Sequence, residues 1–178
     1  MSQGVDTTST AVCWSTKYLA LYPDVQARLR ADLSRAFSAT TSSPTPNAII
    51  TTHLSYLDAF IEEVLRHTPT APAVARRVAA MYVTIFGAKV PKDTDVFLLP
   101  TGASLRTPSI PVAEHLRSAT SQANKAKTRS WNDDDIEDFR PDRWLEAEHN
   151  SDGSIAVKFD PKAGPTLSFG GGVRGCFG

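Results

Sequence analysis

Among the 178 residues only Cys13 and Cys176 carry thiols, and Cys176 is the one whose neighbours suit chemistry. It stands in the closing segment SFGGGVRGCFG, where five of eleven residues are glycine. A thiolate is a strong nucleophile and a soft metal ligand. Neither cysteine belongs to a CxxC pair or to a Cys/His cluster of zinc spacing, so neither a zinc site nor a disulfide framework is indicated, and a reducing compartment is expected. A nucleophilic role needs a base beside the sulfur; no histidine is close in sequence, although one brought near by folding would serve. The same residues spell Gly170-x-Gly172-x-x-Gly175, the letters of a dinucleotide fingerprint. That motif works between a strand and a helix, and only three residues follow Gly175, so it is rejected. Glycine content alone would fit a flexible tail.

A second chemical pattern is a carboxylate and a guanidinium three residues apart. Glu63/Arg66, Glu114/Arg117 and Glu137/Arg140 all have this spacing. On a helix it usually makes a surface ion pair of little energetic weight, so spacing cannot choose among them. Glu63 and Arg66 alone lie inside a clear amphipathic pattern.

The elements that must position these groups read as follows. Residues from about Asp6 to Leu21 suit a helix. Pro23 and Asp24 make a first turn, and Val25, Leu29, Leu33 and Phe37 repeat every four residues along a second. Residues 40–47, TTSSPTPN, read as a linker. Leu54, Leu57, Ile61, Val64 and Leu65 form one stripe of a helix running to about His67, ended by Pro69. Residues 83–86, 90–91 and 96–99 read as short strands joined by turns. The stretch 101–163 lacks periodicity and is expected to be irregular. The fold class is therefore mainly α with a small β region.

Composition excludes several partners. Nineteen basic residues balance nineteen acidic ones, leaving no basic field for nucleic acid or anionic lipid. No apolar run reaches the roughly 18 residues of a membrane span, and the first residues lack the order of a signal peptide. As it stands the chain is expected to have no membrane anchor.

Phe169, Gly172, Arg174, Cys176 and Gly178 fit the pattern F-x-x-G-x-R-x-C-x-G, which resembles the haem-binding signature of the cytochrome P-450 family at all five fixed positions. Glu63-Val64-Leu65-Arg66 resembles that family's E-x-x-R motif, and Arg140-Pro141-Asp142-Arg143-Trp144 its P-x-R segment. Gly4-Val5-Asp6-Thr7-Thr8 resembles the oxygen-activating segment A-G-x-D/E-T-T, with Gln3 in place of the alanine; Asp6 with its Thr and Ser neighbours would equally make a helix cap. Four segments in family order span nearly the whole chain, and the region of Trp131 and residues 140–144 looks like eukaryotic, fungal members.

The resemblance implies the C-terminal part of the cytochrome P-450 fold over residues 1–178, truncated at both ends. It implies haem b ligated axially by Cys176, because a thiolate on iron donates electron density that favours O–O cleavage. Gly170, Gly171, Gly172 and Gly175 would let the backbone approach the porphyrin and aim N–H groups at the sulfur. Arg174, and Arg77 from the small β region, would bind haem propionates, and Phe169 would shield the sulfur. Glu63, Arg66 and Arg143 would form one buried network that fixes the structure near the cysteine loop. Thr7 would hydrogen-bond dioxygen and Asp6 would help deliver protons. The implied activity is a monooxygenase inserting one oxygen atom of dioxygen into a small organic substrate, with electrons from an NADPH-dependent reductase. By the same resemblance the whole enzyme would sit on the endoplasmic reticulum membrane through an anchor preceding Met1. The other classes in play are a non-catalytic truncated product without haem and a helical interaction domain.

Overall fold

A computed structural model of the chain describes residues 3–38, 43–70, 75–85, 87–125, 127, 129–149, 153, 155–170 and 175–176. Helix α1 spans Gln3–Leu21, three residues earlier than the pattern predicts, and α2 spans Pro23–Ala36. Pro23 sits at the first helical position, where a missing N–H costs nothing, and only the intervening Tyr22 separates the two helices. Along α2, Val25 and Leu29 are buried.

Helix α3, Pro46–Thr51, occupies the end of the segment expected to be a linker. The reason is local: Thr45 caps it, its hydroxyl accepting from Ala48 N at 3.2 Å, and Pro46 opens it. Helix α4, Ser55–His67, is the centre of the structure. Its C-cap Thr68 returns its N–H to Val64 O, before Pro69 forbids another turn. The buried face is not the purely apolar stripe that the sequence suggests. It carries Tyr56, Ala59, Phe60, Val64 and Leu65 together with Glu63, Arg66 and His67, while Ile61 is exposed.

Four short strands follow: β1 (Ala75–Val78), β2 (Val83–Ile85), β3 (Ala88–Val90) and β4 (Asp95–Leu98). β2 and β3 form a hairpin with Val83 opposite Val90, turned at Gly87, whose φ of 81° is open to glycine without strain. Pro91 lies outside β3, as its missing N–H requires. β1, unpredicted as a strand, pairs antiparallel with β4, placing Arg77 opposite Val96.

The stretch expected to be irregular contains helix α5 (Ala119–Lys125), 3-10 turns at Glu114–Leu116 and Pro141–Trp144, and the antiparallel hairpin β5 (Leu145–His149) with β6 (Ile155–Phe159). Leu145 faces Phe159 and Ala147 faces Val157. That period-two alternation is short and interrupted by charged residues, which hides it in sequence.

The core has two adjoining parts, both of which include residues of α4. In one, Val25, Leu29, Tyr56, Phe60 and Val64 surround Phe139. Phe139 stacks on Tyr18 at 4.2 Å and Tyr22 at 4.9 Å, so a residue from the irregular stretch locks α1, α2 and α4 together. In the other, Ala59 of α4 packs with Trp131, Ile136, Trp144 and Ala163. No helix among the described residues is long and apolar enough to cross a membrane.

Candidate haem-binding loop and the buried ionic cluster

Glu63 is fully buried, and a bare carboxylate there would be prohibitively costly. Its oxygens are instead saturated. Oε1 accepts from Arg66 Nη2 at 2.8 Å, from Arg140 N at 2.8 Å and from Arg143 Nε at 3.0 Å. Oε2 accepts from Arg66 Nε at 2.8 Å and from Trp144 Nε1 at 2.9 Å. Burial pushes the Glu63 pKa up, but the Arg66 hydrogen bonds and charge and the Arg140 N–H outweigh it and hold the group well below the usual carboxylate range.

The arginines are equally satisfied. Arg66 Nη1 donates to the carbonyls of Leu105 and Ile136 at 2.7 and 2.8 Å. Arg143 donates to Asp135 Oδ1 at 3.1 Å and to the carbonyls of Asp135 and Asp138 at 2.7 and 3.0 Å. The neighbouring His67 Nε2 lies 2.7 Å from Arg66 Nη2 and 3.2 Å from the Asp138 carbonyl oxygen, accepting from the guanidinium in one tautomer and donating to the carbonyl in the other. The cluster therefore ties α4 to Leu105, Ile136, Arg140, Arg143 and Trp144.

Glu63, Arg66 and Arg143 are thus brought together. The two other pairs of identical spacing place no side chain on Glu63, although the Arg140 backbone N–H reaches it. Glu114 meets Arg117 at 3.5 Å and Lys125 at 2.8 Å in an exposed position, and Arg140 ion-pairs with Asp135. Sequence reasoning missed Trp144, Asp135 and the Arg140 N–H as members. Trp144 follows Arg143 directly, and its type was the available signal, because a buried indole N–H needs an acceptor.

The cysteine loop lies against the end of α4. Ser168 Oγ donates to Leu65 O at 3.2 Å, fixing the entry to the loop one residue before Arg66. Gly170 N returns to Leu167 O at 2.9 Å, with Gly170 at φ 72°, a conformation that glycine alone adopts freely. Cys176 N donates to Phe169 O at 2.8 Å and closes the loop. The Cys176 thiol is free and exposed, as is that of Cys13 on α1. Phe169 is exposed. Gly172, Arg174 and Gly178 lie outside the described residues.

The remaining candidates are spread over other elements. Asp6, in the first turn of α1, and Thr7, next to it, are exposed; the helix packs on α4 through Tyr18 and His67, ring centroids 5.9 Å apart. Arg77 is exposed on β1 and donates to Arg76 O at 3.0 Å.

The donor set of the loop restricts what it could hold. Among the described residues no group of three or more His, Cys, Asp or Glu could bind a metal ion. A single thiolate is one ligand, insufficient for a bare ion but sufficient as the axial ligand of iron whose other donors come from a macrocycle. The residues present fit haem in that sense.

Comparison with known proteins agrees. The family model for cytochrome P450 matches residues 1–108. The chain is 39% identical over 179 residues to a cytochrome P450 monooxygenase of Pestalotiopsis microspora, covering 98% of this chain and 30% of that protein. It is 41% identical over 187 residues to a cytochrome P450 monooxygenase of Fusarium sporotrichioides, covering 98% of this chain and 32% of that one. Among solved structures, a zebra fish cytochrome P450 described with progesterone superposes with a TM-score of 0.56 at 27% identity, over 97% of this chain and 31% of its own. The chain thus spans about a third of the length of these relatives.

Proposed function

The chain belongs to the cytochrome P450 family, and we propose that it is the cysteine-bearing part of a haem-thiolate monooxygenase in which Cys176 ligates the iron. The observation that carries this is the loop itself: a free, exposed thiol closed by Cys176 N to Phe169 O and anchored to α4 through Ser168. Haem bound there would supply the binding and reductive activation of dioxygen. The protein's part is to hold the sulfur deprotonated and to keep water from it.

Each residue has a task under this reading. The turn at Gly170 brings the backbone close to the macrocycle, and N–H groups of the loop stabilise negative charge on Cys176 Sγ. With haem bound, Phe169 would cover the sulfur, Arg174 and Arg77 would bind its propionates, and Gly172 and Gly178 would leave room for close approach. On α1, Thr7 Oγ1 holds a proton on the oxygen-binding side and the Asp6 carboxylate relays one to it. Electrons come from an NADPH-dependent reductase, and one oxygen atom passes to a small organic substrate. The endoplasmic reticulum location is part of the same proposal and rests on the family alone.

Cys176→Ser in the full-length protein tests the assignment. A serine hydroxyl stays protonated and donates poorly, so the thiolate signature of the ferrous carbon monoxide complex is expected to vanish. An unchanged spectrum removes Cys176 from the iron.

A further inference from the structure

Trp131 joins the buried ionic cluster to the segment that leads into the cysteine loop. Its side chain is buried in the core beside Trp144, the two rings meeting edge to face at 4.8 Å. The guanidinium carbons of Arg66 and Arg143 lie 5.7 and 5.5 Å from the Trp131 ring centroid. The indole is therefore a roof over both arginines, within range of cation–π attraction. On the chain that returns towards the loop, Gly164 fits against the same ring. A Cβ at Gly164 would stand 2.3 Å from Trp131 Cε2 and 2.5 Å from Cζ2, so only a hydrogen is tolerated. Next to it, Pro165 O accepts the indole N–H at 3.1 Å. Three residues on, Ser168 is bonded to Leu65 O, and Phe169 O receives the Cys176 N–H.

We propose that Trp131 is a positioning residue for the cysteine loop and that Gly164 is the flat seat which makes this role available. The proposal rests on the reading of Cys176 as the haem ligand. Its logic is mechanical. The cluster around Glu63 is held by five donors and cannot drift. The indole is a rigid plate between that cluster and the 164–165 backbone, and close-packed interiors transmit displacement. To admit a Cβ at Gly164, ring and backbone must separate by roughly 1 Å. Either the indole leaves the arginines or the segment leading to Phe169 and Cys176 moves outward, and the sulfur moves with it.

The test uses the full-length protein carrying Gly164→Ala, Trp131→Leu, or both. The readout is the ratio of thiolate-ligated to thiolate-free ferrous carbon monoxide complex in the folded, haem-loaded fraction, with the urea midpoint measured beside it. Each single change is expected to lower the ratio. The double variant should be no worse than Trp131→Leu alone, because without the ring there is nothing for the Cβ to strike, which is a coupling of about threefold or more. If Gly164→Ala yields no folded protein, the double variant is expected to recover it. The proposal is overturned if the urea midpoint falls while the ratio stays unchanged, if the two losses simply multiply, or if the double variant fails to recover a lost fold. Cys176→Ser in the same series separates the two readings. A parent spectrum that survives Cys176→Ser ends the ligand assignment, whereas one lost in Cys176→Ser but intact in Gly164→Ala ends only the role of Trp131.

Discussion

Trp144 donates its indole N–H to Glu63 Oε2 at 2.9 Å across 81 residues of sequence, and the same carboxylate receives Arg66, Arg143 and the Arg140 backbone. One buried acid thereby fixes the position of the whole 135–144 segment against α4. The arrangement is better read as a locating device than as net stability, since taking an acid and two arginines out of water consumes most of what their attraction returns. Removing one member is a different matter, because it strands the others.

Glu63→Gln in the full-length protein is expected to destabilise by about 3–5 kcal/mol at neutral pH, leaving Arg66 without a carboxylate and Arg143 with only that of Asp135. The pH dependence has a definite sign. The Glu63 pKa is lowered in the folded state, so its contribution is complete above the unfolded glutamate value of about 4.3 and is lost progressively below it. The gap in urea midpoint between parent and variant should be constant from pH 7 down to roughly 5 and shrink under more acid conditions. A gap that widens in acid would mean that Glu63 is protonated in the native protein.

The cluster should behave as one unit. Glu63→Ala and Arg143→Ala are each expected to lower haem incorporation, and the double variant should cost less than the two together, because the second change removes a group already stranded. Glu114→Ala is the control: its exposed, solvent-screened pairs with Arg117 and Lys125 should contribute no measurable stability, and the change should leave haem content unchanged. Full haem loading in Glu63→Ala would reduce the cluster to an ordinary ion pair.

What could be read in advance follows from the range of the interactions. Local signals placed α1, α2 and α4, because Pro23, the apolar spacing and Pro69 act within a few residues. The amphipathic pattern and the family resemblance favoured Glu63/Arg66 over Glu114/Arg117, but the partners that distinguish the pair were out of reach: Arg143 and Trp144 on Glu63 and the Leu105 and Ile136 carbonyls on Arg66 arrive from 39 to 81 residues away. For the same reason the stripe misassigned Ile61: periodicity assumes that a buried face is apolar, and here that face is occupied by satisfied charges. The Trp131 seat at Gly164 was illegible, being a steric fit between residues with no spacing rule.

Thr7→Ala is expected to separate electron use from product formation. The hydrogen bonds described for the Cys176 loop, Ser168 Oγ to Leu65 O and Cys176 N to Phe169 O, do not use Thr7, so haem should remain bound. Under the proposed role it organises protons at the oxygen side. Reductase-driven NADPH consumption should then persist while product falls and peroxide rises. Unaltered coupling would return Thr7 to the part of an ordinary helix residue.

The 178 residues expressed alone are expected not to function as a monooxygenase, and the reason is visible in their surface. Val5, Val12 and Leu21 on α1, Ile49 and Ile50 on α3, Phe97, Leu98 and Leu99 at the end of β4, and Phe169 in the cysteine loop are all exposed. Isolated exposed apolar residues are normal, but this many of them gathered on α1, α3 and the end of β4 is hydrophobic surface that partners would cover. Haem needs apolar protein on both faces, and the described residues near Cys176 offer a single loop with an exposed thiol. Water reaching the sulfur weakens its hold on iron, since loop N–H groups aimed at it must then compete with solvent. The isolated chain should therefore bind haem at well under one equivalent, expose dye-binding hydrophobic surface, unfold with poor cooperativity, and show no turnover with NADPH and reductase. A pyridine haemochrome assay against protein concentration, with a thermal melt followed by near-ultraviolet dichroism, checks each part. Stoichiometric, thiolate-ligated haem with substrate oxidation would mean that these exposed faces cover one another in solution and that the loop is shielded by the chain's own residues.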